Sequence, residues 1–230
     1  MTAAGREQVG AIIVAAGRSA RMEGVDKLFA PLGGRPLLAR TLAAFPEAEV
    51  DRLVLVLREE NLERGRALLA ELPPGLPATA VPGGERRQDS VWAGLQALGP
   101  CAWVVVHDGA RPLVEPELIR RGLAAAQATH AAVAAVPVVD TIKEVDEGGL
   151  VRRTLDRTRL WAVQTPQVFR RELLERAHRE VTAEVTDDAA MVELLGHPVT
   201  VYRGSYRNLK VTTPADLAAA EALLRASQSS

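Results

Sequence analysis

Short, almost wholly apolar segments constrain the fold of this chain more than any other feature of its sequence. Four of them occupy residues 9–16, 52–57, 101–107 and 131–139. Uninterrupted apolar runs of this length are typical of strands buried on both faces of a parallel sheet. Segments with helical periodicity lie between them, at 36–45, 59–72, 90–98 and 116–129. This alternation predicts an α/β fold with a mostly parallel sheet and helices on both faces.

The alternation stops after residue 139. Charged segments at 141–145 and 150–155 flank two glycines, Gly148 and Gly149, which favour a hairpin because glycine accepts positive φ. A polar hairpin gains little by packing on the core, so we expect residues from about 139 to 160 to project as a β-arm. The remaining predicted elements are helices near 170–180 and 187–195, a strand at 199–203 and a helix at 214–226.

Composition excludes several classes of protein. The 28 basic and 29 acidic residues leave a net charge of −1, so no overall basic field exists to hold nucleic acid or an anionic membrane. No apolar run approaches the roughly 18 residues of a membrane span. A single cysteine, Cys101, excludes an internal disulfide, and no signal-like apolar segment precedes the first strand, so the expected compartment is the cytoplasm. Without repeats or long linkers, residues 1–230 are expected to form one domain.

Two loops that follow predicted strands carry residues suited to binding phosphate. Ligands of open α/β sheets bind at the carboxyl ends of the strands. After the first strand, the small residues 15–17 allow close backbone approach, and Arg21 and Lys27 add positive charge. After residue 82, two glycines precede a helix whose N-cap we expect to be Asp89 or Ser90, and helix N-termini attract anions.

A third loop, after residue 107, supplies a carboxylate. Asp108 ends a strand beside Gly109, and Mg²⁺ is commonly held by one or two carboxylates together with substrate phosphates. Arg111 is suited to bidentate phosphate binding, although an internal Asp108–Arg111 ion pair is the structural alternative. No Cys/His cluster has zinc spacing and no G-x-S-x-G motif occurs. The three loops together point to a nucleoside triphosphate.

Lysine is scarce in this chain. Of the 28 basic residues only Lys27, Lys143 and Lys210 are lysines, and the other 25 are arginines. Codon bias in a GC-rich genome explains the excess of arginine. Under such a bias, a retained lysine is a candidate for a role that the planar guanidinium does not fill.

These motifs, in their order along the chain, resemble the 2-C-methyl-D-erythritol 4-phosphate cytidylyltransferases over about residues 9–217. The resemblance implies a Rossmann-like domain with an extended arm, a homodimer, and synthesis of CDP-methylerythritol and pyrophosphate from CTP in non-mevalonate isoprenoid formation. The matching stretches are AAGRSARM with Lys27, GGERRQDSVWAGL, VHDGARP, VVDTIKE, LDRTRLWAVQTPQ, TDDAAMVE and NLKVTTPADL.

The resemblance also implies roles for single residues. Those implied to bind the nucleotide are Ala15, Ala16, Gly17, Gly84, Glu85, Arg87 and Ser90. Those implied to bind the triphosphate and the charge developing at the α-phosphate are Arg21 and Lys27, with Asp108 helping to hold Mg²⁺ or another divalent metal. Those implied to bind the acceptor are Arg111, Thr165 and Lys210, joined by Thr141 and Arg157 from the partner's arm.

The chain departs from the family pattern in its first loop. The family commonly has proline where Val14 stands, glycine where Ser19 stands, and proline before the catalytic lysine, where this chain has Asp26. These differences affect loop conformation and leave the charged groups in place.

Two other functions remain open from the sequence. A ribitol-5-phosphate cytidylyltransferase would share the CTP loops and differ at the acceptor, although Thr141, Arg157 and Thr165 favour methylerythritol phosphate. A regulatory module would bind CTP without catalysis, which the presence of Lys27 and Asp108 argues against.

Overall fold

A computed structural model describes residues 6–17 and 26–228 of the chain. The strands are β1 (Val9–Ala15), β2 (Pro31–Leu32), β3 (Arg35–Pro36), β4 (Arg52–Leu57), β5 (Ala78–Pro82), β6 (Trp103–Asp108), β7 (Ala131–Pro137), β8 (Lys143–Val145), β9 (Val151–Thr154), β10 (Trp161–Arg170) and β11 (Thr200–Arg203). The α-helices are α1 (Leu37–Glu47), α2 (Leu62–Leu69), α3 (Arg87–Ala97), α4 (Pro116–Thr129), α5 (Arg171–Glu180), α6 (Asp188–Leu194) and α7 (Pro214–Gln228).

Seven strands form the central sheet in the order β11-β7-β10-β6-β1-β4-β5. All neighbours pair in parallel except β10, which runs antiparallel to both β6 and β7. The register aligns Val14 with Asp108 and Ala15 with Leu57. The carboxyl ends of β1, β4 and β6 therefore meet at one edge of the sheet, where ligands of open α/β sheets bind.

Helices cover both faces of this sheet, as the alternating sequence pattern predicts. Ile13 belongs to a buried cluster with α1, α2 and α4, whereas Ile12 belongs to one with α3, α5 and α6. Both isoleucines are fully buried, and burial of such a side chain stabilises a fold by roughly 1.5–3 kcal/mol. Gly94 lets α3 lie close to the sheet, because a Cβ there would approach Ile12 Cγ2 to 2.5 Å.

The structure corrects the predicted secondary structure in two places. No strand is predicted over β10, because Gln164, Thr165 and Pro166 interrupt its apolar pattern; its pairing with β7 shifts register across these residues. The predicted helix at 59–72 is instead a 3-10 turn (Glu59–Asn61) followed by the shorter α2. Tertiary pairing, which local pattern does not encode, determines the first of these differences.

The expected hairpin is present as an antiparallel pair separate from the central sheet. Every residue of β8 and β9 is exposed, and Gly149 closes the turn with a φ of 79°. Its strands are tied by side-chain contacts such as Lys143 Nζ donating to Thr154 Oγ1 at 2.7 Å. Within the described ranges, no helix has the length and apolar character needed to cross a bilayer.

Candidate active site

An open cavity of about 430 Å³ lies at the carboxyl edge of the sheet. The end of β1, the turn before α1, the loop after β5, the end of β6 and the loop after β11 all contribute to it. The cavity is lined by the residues that the resemblance implies to bind the nucleotide, and by Asp108 and Lys210 from later loops. The lining residues are Val14, Ala15, Ala16, Gly17, Lys27, Leu28, Gly84, Glu85, Arg86, Arg87, Ser90, Asp108, Ala110, Lys210 and Thr212.

Two small-residue loops meet at one side of the cavity. Gly83 packs so closely there that an added Cβ would lie 2.4 Å from Ala16 Cβ and 2.7 Å from Ser90 Oγ. The Gly83 amide donates to the carbonyl of Leu57 at 2.7 Å, which ties the loop to the end of β4. Glycine is required at this position because any side chain would separate the loops.

Ser90 braces the second loop from within α3. Its hydroxyl is buried, accepts from the Gly84 amide at 3.2 Å and bonds the Arg86 carbonyl at 3.2 Å. The prediction that Asp89 or Ser90 is the N-cap is wrong, because the helix begins at Arg87 and its N-cap is Arg86. Asp89 instead accepts from the Arg86 backbone amide at 3.1 Å as the third residue of a capping box.

Lys27 is carried by a short 3-10 turn, Lys27–Phe29. Asp26 caps this turn, because its Oδ1 accepts from the Leu28 amide at 3.2 Å. Asn61, which is buried, donates its Nδ2 to the other carboxylate oxygen at 2.6 Å. A side-chain cap thus stands where the family commonly has proline, and nothing in the sequence pattern points to Asn61. Arg21 and Ser19 lie outside the described residues.

Asp108 lies among three cations. Its carboxylate is 2.9 Å from Lys210 Nζ, 3.5 Å from Arg87 Nε and 3.6 Å from Arg111 Nε. Burial alone would raise the pKa of Asp108, but attraction to Arg87, Lys210 and Arg111 outweighs burial and holds that pKa well below its usual range. Asp108 is therefore ionised at neutral pH, and the surrounding positive charge exceeds its own.

A buried hydrogen-bond chain holds the backbone of Asp108. The Asp108 amide donates to Thr165 Oγ1 at 3.0 Å, Thr165 Oγ1 contacts His107 Nδ1 at 3.0 Å, and His107 Nε2 contacts the Arg111 carbonyl at 3.3 Å. Burial lowers the pKa of His107 to about 4, so the ring is neutral. All three bonds are satisfied when Thr165 donates to Nδ1 and the imidazole hydrogen resides on Nε2.

Asn208 connects the acceptor-side residues to one another. Its backbone carbonyl accepts from Arg111 Nη1 at 2.7 Å, and its side-chain Nδ2 donates to the backbone carbonyl of Thr165 at 2.7 Å. The Val211 amide next along the same loop donates to the Ala110 carbonyl at 2.8 Å. These bonds fix the loop that carries Lys210 against the end of β6. Asn208 is not among the residues predicted from the sequence, although it lies in the NLKVTTPADL stretch.

The acceptor-side residues fall into three groups. Lys210 lines the cavity, whereas Arg111 and Thr165 are buried behind it with their polar atoms in the network just described. Thr141 and Arg157 are exposed on the arm, do not line the cavity of their own chain, and Arg157 donates to the carbonyl of Val139. A single chain thus brings together the nucleotide side and leaves the two arm residues apart.

A mostly parallel sheet with small-residue loops and a basic pocket at its carboxyl edge defines the class of nucleotide-binding α/β proteins. The family model of 2-C-methyl-D-erythritol 4-phosphate cytidylyltransferase matches residues 9–226. A relative of that name from Dehalococcoides mccartyi is 51% identical over 220 residues, covering 95% of this chain and 97% of the relative. The chain belongs to this family, as the sequence resemblance predicts.

Solved structures agree with this assignment. The chain resembles a 2-C-methyl-D-erythritol 4-phosphate cytidylyltransferase from Thermus thermophilus with a TM-score of 0.77 and 40% identity, covering 95% of this chain and 99% of the other. It also resembles a 4-diphosphocytidyl-2C-methyl-D-erythritol synthase from Anaerococcus prevotii with a TM-score of 0.86 and 30% identity, over 95% and 99% of the two chains. The predicted Rossmann-like fold class is confirmed.

Proposed function

We infer that the cavity transfers CMP from CTP to 2-C-methyl-D-erythritol 4-phosphate, releasing pyrophosphate and forming CDP-methylerythritol. Family membership supports this cytidylyltransferase reaction in isoprenoid precursor synthesis. The observation that assigns this reaction to the cavity is the group of three cations, Lys210, Arg87 and Arg111, around Asp108. Lys210 and Arg87 line the same cavity as the small residues at the end of β1.

The reaction depends on stabilising negative charge more than on transferring a proton. A phosphate oxygen of the acceptor attacks the α-phosphorus of CTP in line, and the bond to pyrophosphate breaks. Because a phosphate monoester is already anionic at neutral pH, no general base is needed. The barrier lies in bringing an anion to a polyanion, so positioning and fixed positive charge supply most of the acceleration. Lys27 and Arg21 are proposed to act on the triphosphate, and Lys210 and Arg111 on the acceptor side.

Asp108 is proposed to help hold a divalent cation, Mg²⁺ in the first instance. Across the described parts of the chain, no group of three or more His, Cys, Asp or Glu side chains forms a metal site. An ionised carboxylate in a phosphate-binding cavity nevertheless fits Mg²⁺, which is often bound through one or two carboxylates plus substrate phosphates. Bound Mg²⁺ would offset triphosphate charge. Asp108 would orient the cation, and its carboxylate also pairs with Lys210, which lines the cavity.

The size of the first two loops supports selection of a pyrimidine. Ala16 and Ser90 both lie against Gly83, so the two loops that line the nucleotide side approach closely, and we expect them to accept a pyrimidine better than the larger purines of ATP and GTP. UTP differs where the cytosine amino group donates a hydrogen bond. We expect backbone carbonyls at 83–85 to accept from that group, so that UTP leaves them unpaired and reacts slowly.

The arm supports a homodimer in which each subunit completes the other's site. Val139, Val145, Leu150 and Val151 on the arm are between 52% and 71% exposed, more apolar surface than an isolated hairpin needs. In a symmetric dimer, the partner subunit's Thr141 and the partner subunit's Arg157 would reach the acceptor phosphate.

Measuring pyrophosphate release tests the proposal against its alternatives. The purified chain is given CTP and Mg²⁺ with 2-C-methyl-D-erythritol 4-phosphate, with ribitol 5-phosphate, or with no acceptor. We expect rapid release with the methylerythritol phosphate alone. Faster release with ribitol 5-phosphate would assign the other acceptor, and CTP binding without any release would indicate a regulatory module.

A further inference from the structure

The TDDAAMVE stretch places a fully buried carboxylate behind the cavity that the reaction does not use. Asp188 begins α6, and its Oδ2 accepts from Arg87 Nη1 at 2.6 Å, joining residues 101 positions apart. The same guanidinium faces Asp108 Oδ1 with its Nε at 3.5 Å. One arginine therefore lies between two carboxylates, of which only Asp108 lines the cavity.

We propose that Asp188 is a positioning residue that holds Arg87 back from Asp108, and so leaves Asp108 Oδ1 available to the divalent cation that accompanies CTP. This inference rests on the metal-binding role proposed for Asp108. The two carboxylates compete for one guanidinium, and the distances show which of them holds it: 2.6 Å is a charge-assisted hydrogen bond, whereas 3.5 Å is beyond the usual range.

Within the described part of the chain, the Arg87–Asp188 pair leaves one buried polar atom of each side chain without a hydrogen bond, so Asp188 does not satisfy the guanidinium completely. Arg87 Nη2 and Asp188 Oδ1 are buried and have no hydrogen-bond partner among the described residues. A guanidinium drawn fully onto Asp108 would gain a second carboxylate contact and cover the oxygen that a metal needs. Attraction to the negatively charged Asp188, on the opposite side of the guanidinium, prevents Arg87 from moving onto Asp108.

Asp188 is itself rigidly supported. The preceding Asp187 caps α6 through the Ala190 amide at 3.0 Å, and its other oxygen accepts from Gln167 Nε2 of β10 at 2.7 Å. Gln167 also accepts from the Ala189 amide at 3.2 Å. His178 has its Nε2 4.0 Å from Asp188 Oδ1, which is too long for a hydrogen bond. The backbone on either side of Asp188 is thus anchored to the central sheet, and the Asp188 carboxylate is not held by His178.

The test compares CTP binding with and without Mg²⁺ by calorimetry, in the absence of acceptor so that no turnover occurs. The measured quantity is the ratio of the CTP dissociation constant in EDTA to that in MgCl₂. In Asp188→Asn, which keeps the shape and removes the charge, we expect this ratio to fall about tenfold, the scale for losing a partner that orients a metal ligand. CTP affinity in EDTA is expected not to weaken.

A double variant keeps the proposal testable if Asp188→Asn does not fold. Arg87→Gln with Asp188→Asn removes both charges, and replacing both partners of a buried pair costs less than removing one. With the Arg87 guanidinium no longer present to cover Asp108 Oδ1, we expect the Mg²⁺ ratio to return to the wild-type value. A low ratio in a folded double variant would overturn the proposal, because the defect would then not arise from Arg87.

Glu175→Gln is the matched control. It breaks another partly buried arginine–carboxylate pair, Arg171–Glu175 at 2.8 Å on α5, whose residues do not line the cavity. We expect it to lower the melting temperature and leave the Mg²⁺ ratio unchanged. If Mg²⁺ raises CTP affinity equally in wild type and in Asp188→Asn, the role of Asp188 is refuted, whereas the metal role of Asp108 is not. If wild-type CTP affinity does not respond to Mg²⁺, both are refuted.

Discussion

The cavity and the β8–β9 arm both contain paired charges, but they place them in opposite environments. In the cavity, the side chains of Asp108 and Arg111 are each 11% exposed, and the cations around Asp108 outnumber it. On the arm, Arg153 pairs with Glu144 at 2.7 Å with exposures of 68% and 48%. Water screens the arm pair, so such a pair contributes at most about 1 kcal/mol. The charges of the cavity are shielded from water by burial, so each of them acts more strongly on a bound anion than an exposed charge would.

The two regions also differ in what completes them. The cavity is built from loops of one chain that are tied together by Asn208, Thr165 and Ser90. Within the described residues the arm forms a two-stranded sheet of its own, and Val139, Val145 and Val151 on it are exposed. The described residues of the nucleotide side come together within one chain, whereas Thr141 and Arg157 on the arm lie apart from that cavity and are proposed to serve a partner subunit.

The largest effect is expected from a comparison of two lysines, one from each region. Lys27→Ala should lower turnover by about a hundredfold or more, the scale for losing one charge contact in a transition state. Lys143→Ala, which removes only the arm contact to Thr154, should change turnover little. Steady-state kinetics and melting temperatures of both variants provide the measurement. Near-normal turnover of a folded Lys27→Ala protein would remove Lys27 from the mechanism.

The next effect concerns stability and pH. The pKa of His107 falls to about 4 through burial, so unfolding takes up a proton between that value and the ordinary 6.5. Stability should therefore decrease as pH falls through this window, by about 2 kcal/mol between pH 7 and pH 5. Urea unfolding at the two pH values measures it.

His107→Gln is the control for that measurement, because glutamine keeps one donor and one acceptor but does not titrate. Its free energy of unfolding should be lower than wild type at pH 7 and should fall less steeply down to pH 5, with a remaining slope to which His178 contributes because burial lowers its pKa as well. An equally steep pH dependence in this variant would assign the effect to another group.

A smaller gain of activity should follow from mixing two inactive proteins. Lys27→Ala and Arg157→Ala each lack one part of the proposed shared site, and in a mixed dimer both lesions fall in one of the two sites. Random exchange makes about half the dimers mixed, so about a quarter of all sites should work. Native mass spectrometry of tagged chains verifies exchange. Confirmed mixed dimers without recovered activity would show that the arm does not cross to the partner.

The smallest effect is expected at the surface of the arm. Arg153→Ala breaks the Glu144 pair and should change the free energy of unfolding by less than about 1 kcal/mol. Thermal unfolding in low and high salt measures it, and the difference from wild type should shrink as salt rises. A loss of several kcal/mol would mean that the arm is packed, and the contrast with the cavity would fail.

Much of the fold, and many of the residues that line the cavity, were predictable from sequence. The apolar strands, the intervening helices and the hairpin each depend on residues close together in the chain. The loops at the ends of β1 and β6 could be placed together because parallel strands end at the same edge. Scarce lysines pointed to Lys27 and Lys210, both of which line the cavity.

Only the tertiary structure decided how these residues are held. β10 is a strand because β6 and β7 pair with it on either side, despite its polar centre. Thr165 is named from the resemblance as an acceptor ligand, yet its hydroxyl lies in a buried chain with Asp108 and His107. Contacts of this kind join residues 57 or 58 positions apart, and no local periodicity records them.

The charges of this protein, and the edge of the sheet at which they gather, can be predicted from the chain alone, because hydrophobic periodicity and parallel topology follow from short segments. Which charge pairs with which depends instead on the packing of distant segments. Asn61 meets Asp26 from 35 positions away, and Asp188 meets Arg87 from 101. The physical reason is that a buried ion or amide must find its partner wherever packing brings one within reach, and distance along the chain does not enter that requirement.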